Sequence, residues 1–389
     1  MIKLLAKIFL KRQEAGSAGE REAYGILCGL VGICLNLLLS AGKFLAGTLS
    51  GSIAITADAF NNLSDAGSSL VTMVGFKLAG AKPDSKHPFG HGRIEYVSGL
   101  IVSAIILLMA FELLKTSVEK IIHPEEVDFS FAAILILAVS ILVKLYMAFY
   151  NRRIGERIRS AAMRATSVDS FSDAAATGVV LVSAIVSKTA GIGIDGWCGA
   201  AVSIFIFYAG ISAARETLNP LLGQPPEPEF VEEIERIVME YKEIRGIHDL
   251  IVHDYGPGRV MVSLHAEVSA QGDILILHDV IDNAEQKIRE KMKCEAVIHM
   301  DPVITRDPVA LKLKQQVYEL VRQIDEKMSI HDFRVVAGPT HTNLIFDVVV
   351  PFRYRMSDEE VEKIIEIKVK EQMGTEYTTV IQVDKSYTG

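Results

Sequence analysis

Cysteine is scarce in this chain of 389 residues. The four that occur, Cys28, Cys34, Cys198 and Cys294, form no C-x-x-C pattern. That excludes a disulfide framework and argues against a thiolate zinc site. Charge is scarce too: Lys, Arg, Asp and Glu make up 23% of the residues against 50% that are apolar. The apolar ones crowd into about the first 220 positions, so the composition describes a membrane portion followed by a soluble tail. There is no basic excess. The net charge is −8, Lys and Arg gather near the ends of apolar runs, and the stretch after Pro225 is rich in Glu and Asp. A nucleic-acid partner is therefore not expected. Neither an H-E-x-x-H nor a nucleophile motif is present, which speaks against an enzyme. The N-terminus lacks a clean apolar block followed by a small-residue cleavage site, so residues 1–20 read as a retained cytosolic arm.

Long apolar runs, by contrast, are abundant. Six are long enough to span about 30 Å of hydrocarbon at 1.5 Å per residue: roughly 24–46, 52–79, 95–118, 129–150, 162–188 and 194–215. Basic residues precede the first run (Lys3, Lys7, Lys11, Arg12) and lie between the second and third (Lys82, Lys86, Arg93) and the fourth and fifth (Arg152, Arg153, Arg157, Arg159). The alternate loops are short, acidic or nearly uncharged. This asymmetry predicts a multi-pass protein of the cell membrane, plasma or inner, with both termini cytoplasmic. Lys43, Lys144 and Lys188 read as anchors that snorkel to the surface.

The second and fifth runs carry polar residues that lipid would not tolerate. In IAITADAFNNLSDAGSSLVTMVGFKLA, Asn61 and Asp65 stand four apart, on one helical face about a turn from each other. Asp169 and Asp173 repeat that spacing in the fifth run. Two helices with two oxygen donors each could close a four-ligand cation site between them. In the loop after the second run, PDSKHPFGHGRIE sets Asp84, His87 and His91 at three- and four-residue steps, a carboxylate and imidazoles suited to Zn²⁺ or another borderline divalent ion.

Pro220, Pro225, Pro226 and Pro228 mark the passage from membrane to soluble parts. The pattern beyond predicts helix 229–243, strands 247–255 and 259–268, helix 273–293 and strand 295–300. It then predicts the same order again: helix 308–328, strands 330–337 and 343–350, helix 358–373 and strand 377–384. IHDL at 247–250 matches IHDF at 330–333, and VIHMD at 297–301 matches VIQVD at 380–384, both offset by 83 residues. A duplication into tandem αββαβ domains follows. The first copy holds His248, His253, His265, His278, His299 and Asp301. In the second, His331 remains, while Asp347, Gln382 and Asp384 stand for His265, His299 and Asp301.

Taken together, ADAFNNLSD, HPFGHGRIE, SVDSFSD, GIHDL and IHMDP resemble the cation diffusion facilitator family of divalent-metal/proton antiporters, over about residues 20–305. The resemblance implies a homodimer in the lipid bilayer, with six transmembrane helices per subunit (residues 21–219). It also implies a ferredoxin-like cytosolic metal-binding domain (220–305), here followed by a second, duplicated one (306–389). It assigns Asn61, Asp65, Asp169 and Asp173 to the transport site and Asp84, His87 and His91 to a loop site. His248, His265, His278, His299 and Asp301 become a cytosolic site at the dimer interface. Zinc-handling relatives usually carry a His in the membrane pairs, whereas these four are all oxygen donors. Hard donors favour Mn²⁺ over Zn²⁺, Fe²⁺ or Co²⁺. The expected function is Mn²⁺ efflux by alternating access with protons as counter-ion. The alternatives are a Zn²⁺ or Fe²⁺ antiporter of the same family, or a membrane-tethered metal sensor.

Overall fold

The computed structural model describes residues 18–50, 53–123, 131–190, 195–303, 307–338 and 341–386. Most of the expected N-terminal arm, and parts of the loops expected on the outer side, lie outside them. The chain divides into two compact units, one of residues 1–224 with 254–259, the other of 225–253 with 260–389.

The first unit is a bundle of α1 (Ala18–Ser50), α2 (Ile53–Ala79), α3 (Ile94–Ile122), α4 (Phe131–Arg157), α5 (Ala161–Ala190) and α6 (Asp195–Leu221). Within these helices, four stretches are long and apolar enough to cross a membrane: Gly19–Ala46, Ile94–Ile122, Ile134–Arg157 and Gly196–Leu221. The helices α2 and α5 are as long, but polar residues interrupt them, and most of those residues point inward: Asn62, Asp65, Ser68, Ser69 and Thr72 on α2 and Thr166, Ser167, Asp169, Ser170, Ser172 and Asp173 on α5 are buried. The outer faces are the reverse, with Leu38, Leu45, Leu108, Phe111, Leu142, Phe149, Ile204 and Tyr208 exposed. Polar groups inside and large apolar side chains outside is the inversion expected of a body that lives in lipid.

Helix α1 closes on α2 along a glycine stripe. A Cβ at Gly29 would fall 2.6 Å from Met73 Cβ, and one at Gly25 would enter the ring of Phe76. Small residues let backbones approach where no hydrophobic effect drives helices together. One apolar cluster joins Leu27, Cys28 and Val31 to Phe76, Met147, Tyr150, Ile154 and Met163. Another joins Val102, Ile106 and Ala110 of α3 to Ala165, Ile206 and Ala213. Glu95, the last residue of HPFGHGRIE, is buried at the start of α3. Arg21 of α1 donates to both its oxygens at 2.7 Å, and Ser160, in the turn before α5, donates to it at 2.5 Å. Arg21 also donates to the Ile158 carbonyl, so the motif's glutamate ties α1, α3 and the α4–α5 turn together.

The second unit repeats one plan twice: α7 (Pro228–Val238), β1 (Ile244–Asp254), β2 (Val260–Ser269), α8 (Ile274–Met292) and β3 (Glu295–Val303), then α9 (Pro308–Ile324), β4 (Ser329–Ala337), β5 (Thr342–Pro351), α10 (Asp358–Gln372) and β6 (Tyr377–Ser386). Each copy has a three-stranded sheet, β1-β2-β3 or β4-β5-β6. In each, a helical crossover makes the last two strands parallel, as such a connection must. Helix starts are capped by side chains suited to the task. Asp273 accepts from Leu275 N, Asp307 from Val309 N ahead of Pro308, and Ser357 forms a capping box with Glu360. The two copies keep separate apolar cores, one around Ile234, Leu264, Ala284 and Ile288, the other around Val317, Phe346, Val348 and Ile365.

Candidate metal centres

Three helices meet at the most polar place in the bundle. Asp65 from α2 and Asp173 from α5 each accept from the ammonium of Lys144 on α4, at 2.6 and 2.7 Å. All three side chains are at most 4% exposed. Asp169, one turn before Asp173, is buried as well, and Asp169 Oδ1 and Asp173 Oδ1 have no hydrogen-bond partner among the described residues. Thr72 and Thr166 bond across α2 and α5 at 2.9 Å beside them. Of the four expected ligands, the structure therefore gathers Asp65 and Asp173 on one cation and buries Asp169. Asn61 is exposed and takes no part in these ion pairs, whereas its neighbour Asn62 is buried.

Lys144 corrects the expectation of a surface anchor. It is buried and its ammonium is held between two carboxylates, as a lysine this deep must be. The signal was available, since position 144 lies mid-way along α4 and too far from either end to reach water. Lys43 is likewise buried instead of snorkelling, and the side chain of Lys188 lies outside the described residues.

The loop trio is assembled. Asp84 stands 3.3 Å from His87 Nδ1 and 3.5 Å from His91 Nε2, and the two rings are 3.1 Å apart at their nearest nitrogens. Asp84 also accepts from the backbone N–H of His87 at 2.7 Å and of Lys86 at 2.8 Å. Those bonds, the one to His87 first, hold its carboxyl below the usual range and keep it an anion. One ligand atom from each residue lies within 4.8 Å of the others, close enough to share an ion. The group is half exposed apart from His91.

In the tail, Asp301 at the end of β3 is the hub. Its Oδ2 lies 2.9 Å from both His248 Nε2 and His265 Nδ1, and its Oδ1 lies 3.4 Å from His299 Nε2. The parallel register, His265 opposite His299, brings β2 and β3 imidazoles to one sheet face. Burial, with His331 next, pushes the His248 imidazole below its ordinary value, so it stays neutral and able to donate a lone pair to a metal. His278 does not join. It is exposed on α8 with only Asp282 of the same helix nearby, at 4.0 Å. His253 is exposed.

Buried carboxylates inside a helical bundle with apolar outer faces, and a soluble α/β tail bearing imidazoles, define a multi-pass membrane protein that handles cations. Comparison with known proteins agrees. The family model for the cation efflux transmembrane domain matches residues 29–222, and that for the cytoplasmic domain of cation efflux proteins matches 226–303. An uncharacterised transporter of Methanocaldococcus jannaschii is 29% identical over 275 residues, 70% of this chain and 97% of that one. The cation-efflux pump FieF of Klebsiella pneumoniae is 26% identical over 285 residues, 72% of this chain and 95% of the relative. The manganese efflux system protein MneP of Bacillus subtilis is 25% identical over 298 residues, 73% of this chain and 98% of the relative. The chain belongs to the cation efflux, or cation diffusion facilitator, family, whose members are transporters and not enzymes. Residues 304–389 lie beyond both family models.

Proposed function

We propose that this chain exports a divalent cation across the plasma or inner membrane in exchange for protons, with Mn²⁺ as the preferred cargo. The observation that carries the reading is the burial of Asp65, Asp169 and Asp173 around the Lys144 ammonium. Three carboxylates sharing one buried pocket repel each other, and either a cation or protons relieve that repulsion, so the two compete for the same oxygens. Lys144 is a cation tethered to its own site. It satisfies two carboxylates while no cargo is bound, and a divalent ion must draw those oxygens away from it. Asn61, one turn from Asp65 on the same helix face, adds a neutral oxygen when the bundle rocks.

On this reading α1 to α6 are six membrane spans with both termini cytoplasmic, and the two tail copies (220–305 and 306–389) are ferredoxin-like domains. The working unit is a homodimer. His278, exposed and apart from the Asp301 hub, is the histidine free to serve the partner subunit's site. The oxygen donors favour Mn²⁺, and the similarity to MneP supports that choice. Zn²⁺ or Fe²⁺ is the second reading, favoured by the comparable similarity to FieF and by the imidazole-rich tail cluster.

The test is transport in proteoliposomes carrying a proton gradient. Mn²⁺ should move in the direction that dissipates the gradient, and Asp169→Ala should abolish the movement. Metal binding with no gradient-dependent movement would leave the membrane-tethered sensor.

A further inference from the structure

The second tail domain is an addition to the family models, and by sequence it had shed the imidazoles of the first. The structure shows what took their place. The strand register sets Asp347 opposite Gln382 on β5 and β6, as it sets His265 opposite His299 on β2 and β3. His331, Asp347 and Asp384 therefore occupy the positions of His248, His265 and Asp301, and they converge in the same way. His331 Nε2 lies 3.3 Å from Asp384 Oδ2, and its Nδ1 lies 3.9 Å from Asp347 Oδ2.

A fourth group comes from the first domain. Asp249 on β1 brings Oδ1 to 3.9 Å from His331 Nε2. Its backbone is in the left-handed region at φ 51°, as is that of its counterpart Asp332 at φ 50°. The two aspartates have different neighbours. Arg334 donates to the carboxylate of Asp332, whereas the corresponding residue beside Asp249 is Ile251. Asp249 is left to face His331.

We infer that Asp249, His331 and Asp384, with Asp347 at the other ring nitrogen, form a second divalent-cation site in the tail, one that joins the two tail domains. Two observations point to a ligand. The His331 side chain is only 9% exposed, yet among the described residues neither ring nitrogen completes a hydrogen bond, nor does Asp384 Oδ2, the 3.3 Å approach between Nε2 and that oxygen being an ion-pair contact without hydrogen-bond geometry. Buried polar atoms left so are costly and rare. Moreover, one ligand atom each from Asp249, His331 and Asp384 lies within 4.8 Å of the others, a spread that modest side-chain rotation closes onto one ion.

The rival explanation is a protonated His331 ringed by carboxylates. Its ring, however, stacks on that of His248 with centroids 4.3 Å apart, and His248 belongs to the neighbouring cluster. Asp249 lies within ligand reach of both clusters and is placed to bridge two ions. One imidazole among carboxylates is a harder donor set than that of the first cluster, suited to Mn²⁺, Co²⁺ or Zn²⁺.

The experiment uses the full chain in detergent, stripped with chelator, dialysed, and titrated with Co²⁺. Visible absorption is followed, and bound cobalt is counted after desalting. The first cluster is removed by a His265→Ala/Asp301→Ala background. Adding His331→Ala or Asp384→Asn to that background should lower the cobalt content by one equivalent per chain and remove the corresponding absorption. Asp384→Asn is nearly isosteric and gives the result even if His331→Ala does not fold. An unchanged count in a folded Asp384→Asn chain overturns the site and leaves His331 as a structural contact of the surrounding carboxylates. No transport is scored, so the outcome is independent of whether the membrane pocket exchanges protons.

Discussion

At Lys144 one side chain answers two buried carboxylates, and its removal should be felt first as lost stability. Deleting one partner of a buried ion pair costs about 3–5 kcal/mol, because the charges left behind have nothing to face. Lys144→Met should therefore lower the melting temperature of the metal-free protein in detergent, and added Mn²⁺ should restore more than it gives the parent chain. An unchanged melt would mean that the ammonium does not hold the pocket. Selectivity is argued at the same scale. Asp169→His replaces a hard oxygen with an imidazole and should raise Zn²⁺ transport relative to Mn²⁺ in the liposome assay; an unmoved ratio would sink the donor-hardness argument. That the aspartates turn inward was legible, because a carboxylate in an apolar run avoids lipid. Lys144 was not, since a lone lysine near a run reads as an anchor until depth along the helix is weighed. Asn61 was chosen by spacing, and spacing alone did not show that its side chain is exposed here while that of Asn62 is buried.

At the scale of elements, α1 and α2 approach because Gly25 and Gly29 carry no side chain at the crossing. Gly29→Val would thrust two methyls toward Met73, and overpacking of this kind costs about 1–3 kcal/mol. The expected result is a lower yield of folded protein and a lower melting temperature, read by size exclusion and thermal unfolding, with the carboxylates untouched. Strand and helix order in the tail was readable from alternation and from the repeat itself. The bundle helices were readable as apolar runs, except that α2 and α5 are broken by polar residues which make sense only once they are buried within the bundle. The sheet register was not readable. That His265 faces His299, and Asp347 faces Gln382, is set by crossover helices whose docking depends on apolar contacts distant in sequence.

For the whole molecule, the two tail cores share no buried residue, so each copy is stabilised largely from within. A chain ending at residue 305 should fold and retain Mn²⁺ transport while losing the cation site proposed at His331 and Asp384. Loss of all folded protein on truncation would show that the copies are not independent. The duplication was visible in paired sequence motifs, but the meeting of Asp249 with His331 was not, because it depends on how one copy rests against the other.

The buried ammonium has an electrical consequence. Among the three carboxylates and Lys144 two formal negative charges remain, so one doubly charged ion and two protons neutralise that group equally, whatever constant charge the nearby buried Lys43 adds. A monovalent guest would not. A carrier whose two filled forms bear the same charge moves no net charge per cycle and gives the transmembrane voltage little to pull on, whereas each uncompensated charge would be worth about 2.3 kcal/mol per 100 mV. Turnover should then follow the pH difference and ignore an imposed potassium diffusion potential. Replacing Lys144 with a neutral residue should make it voltage-sensitive.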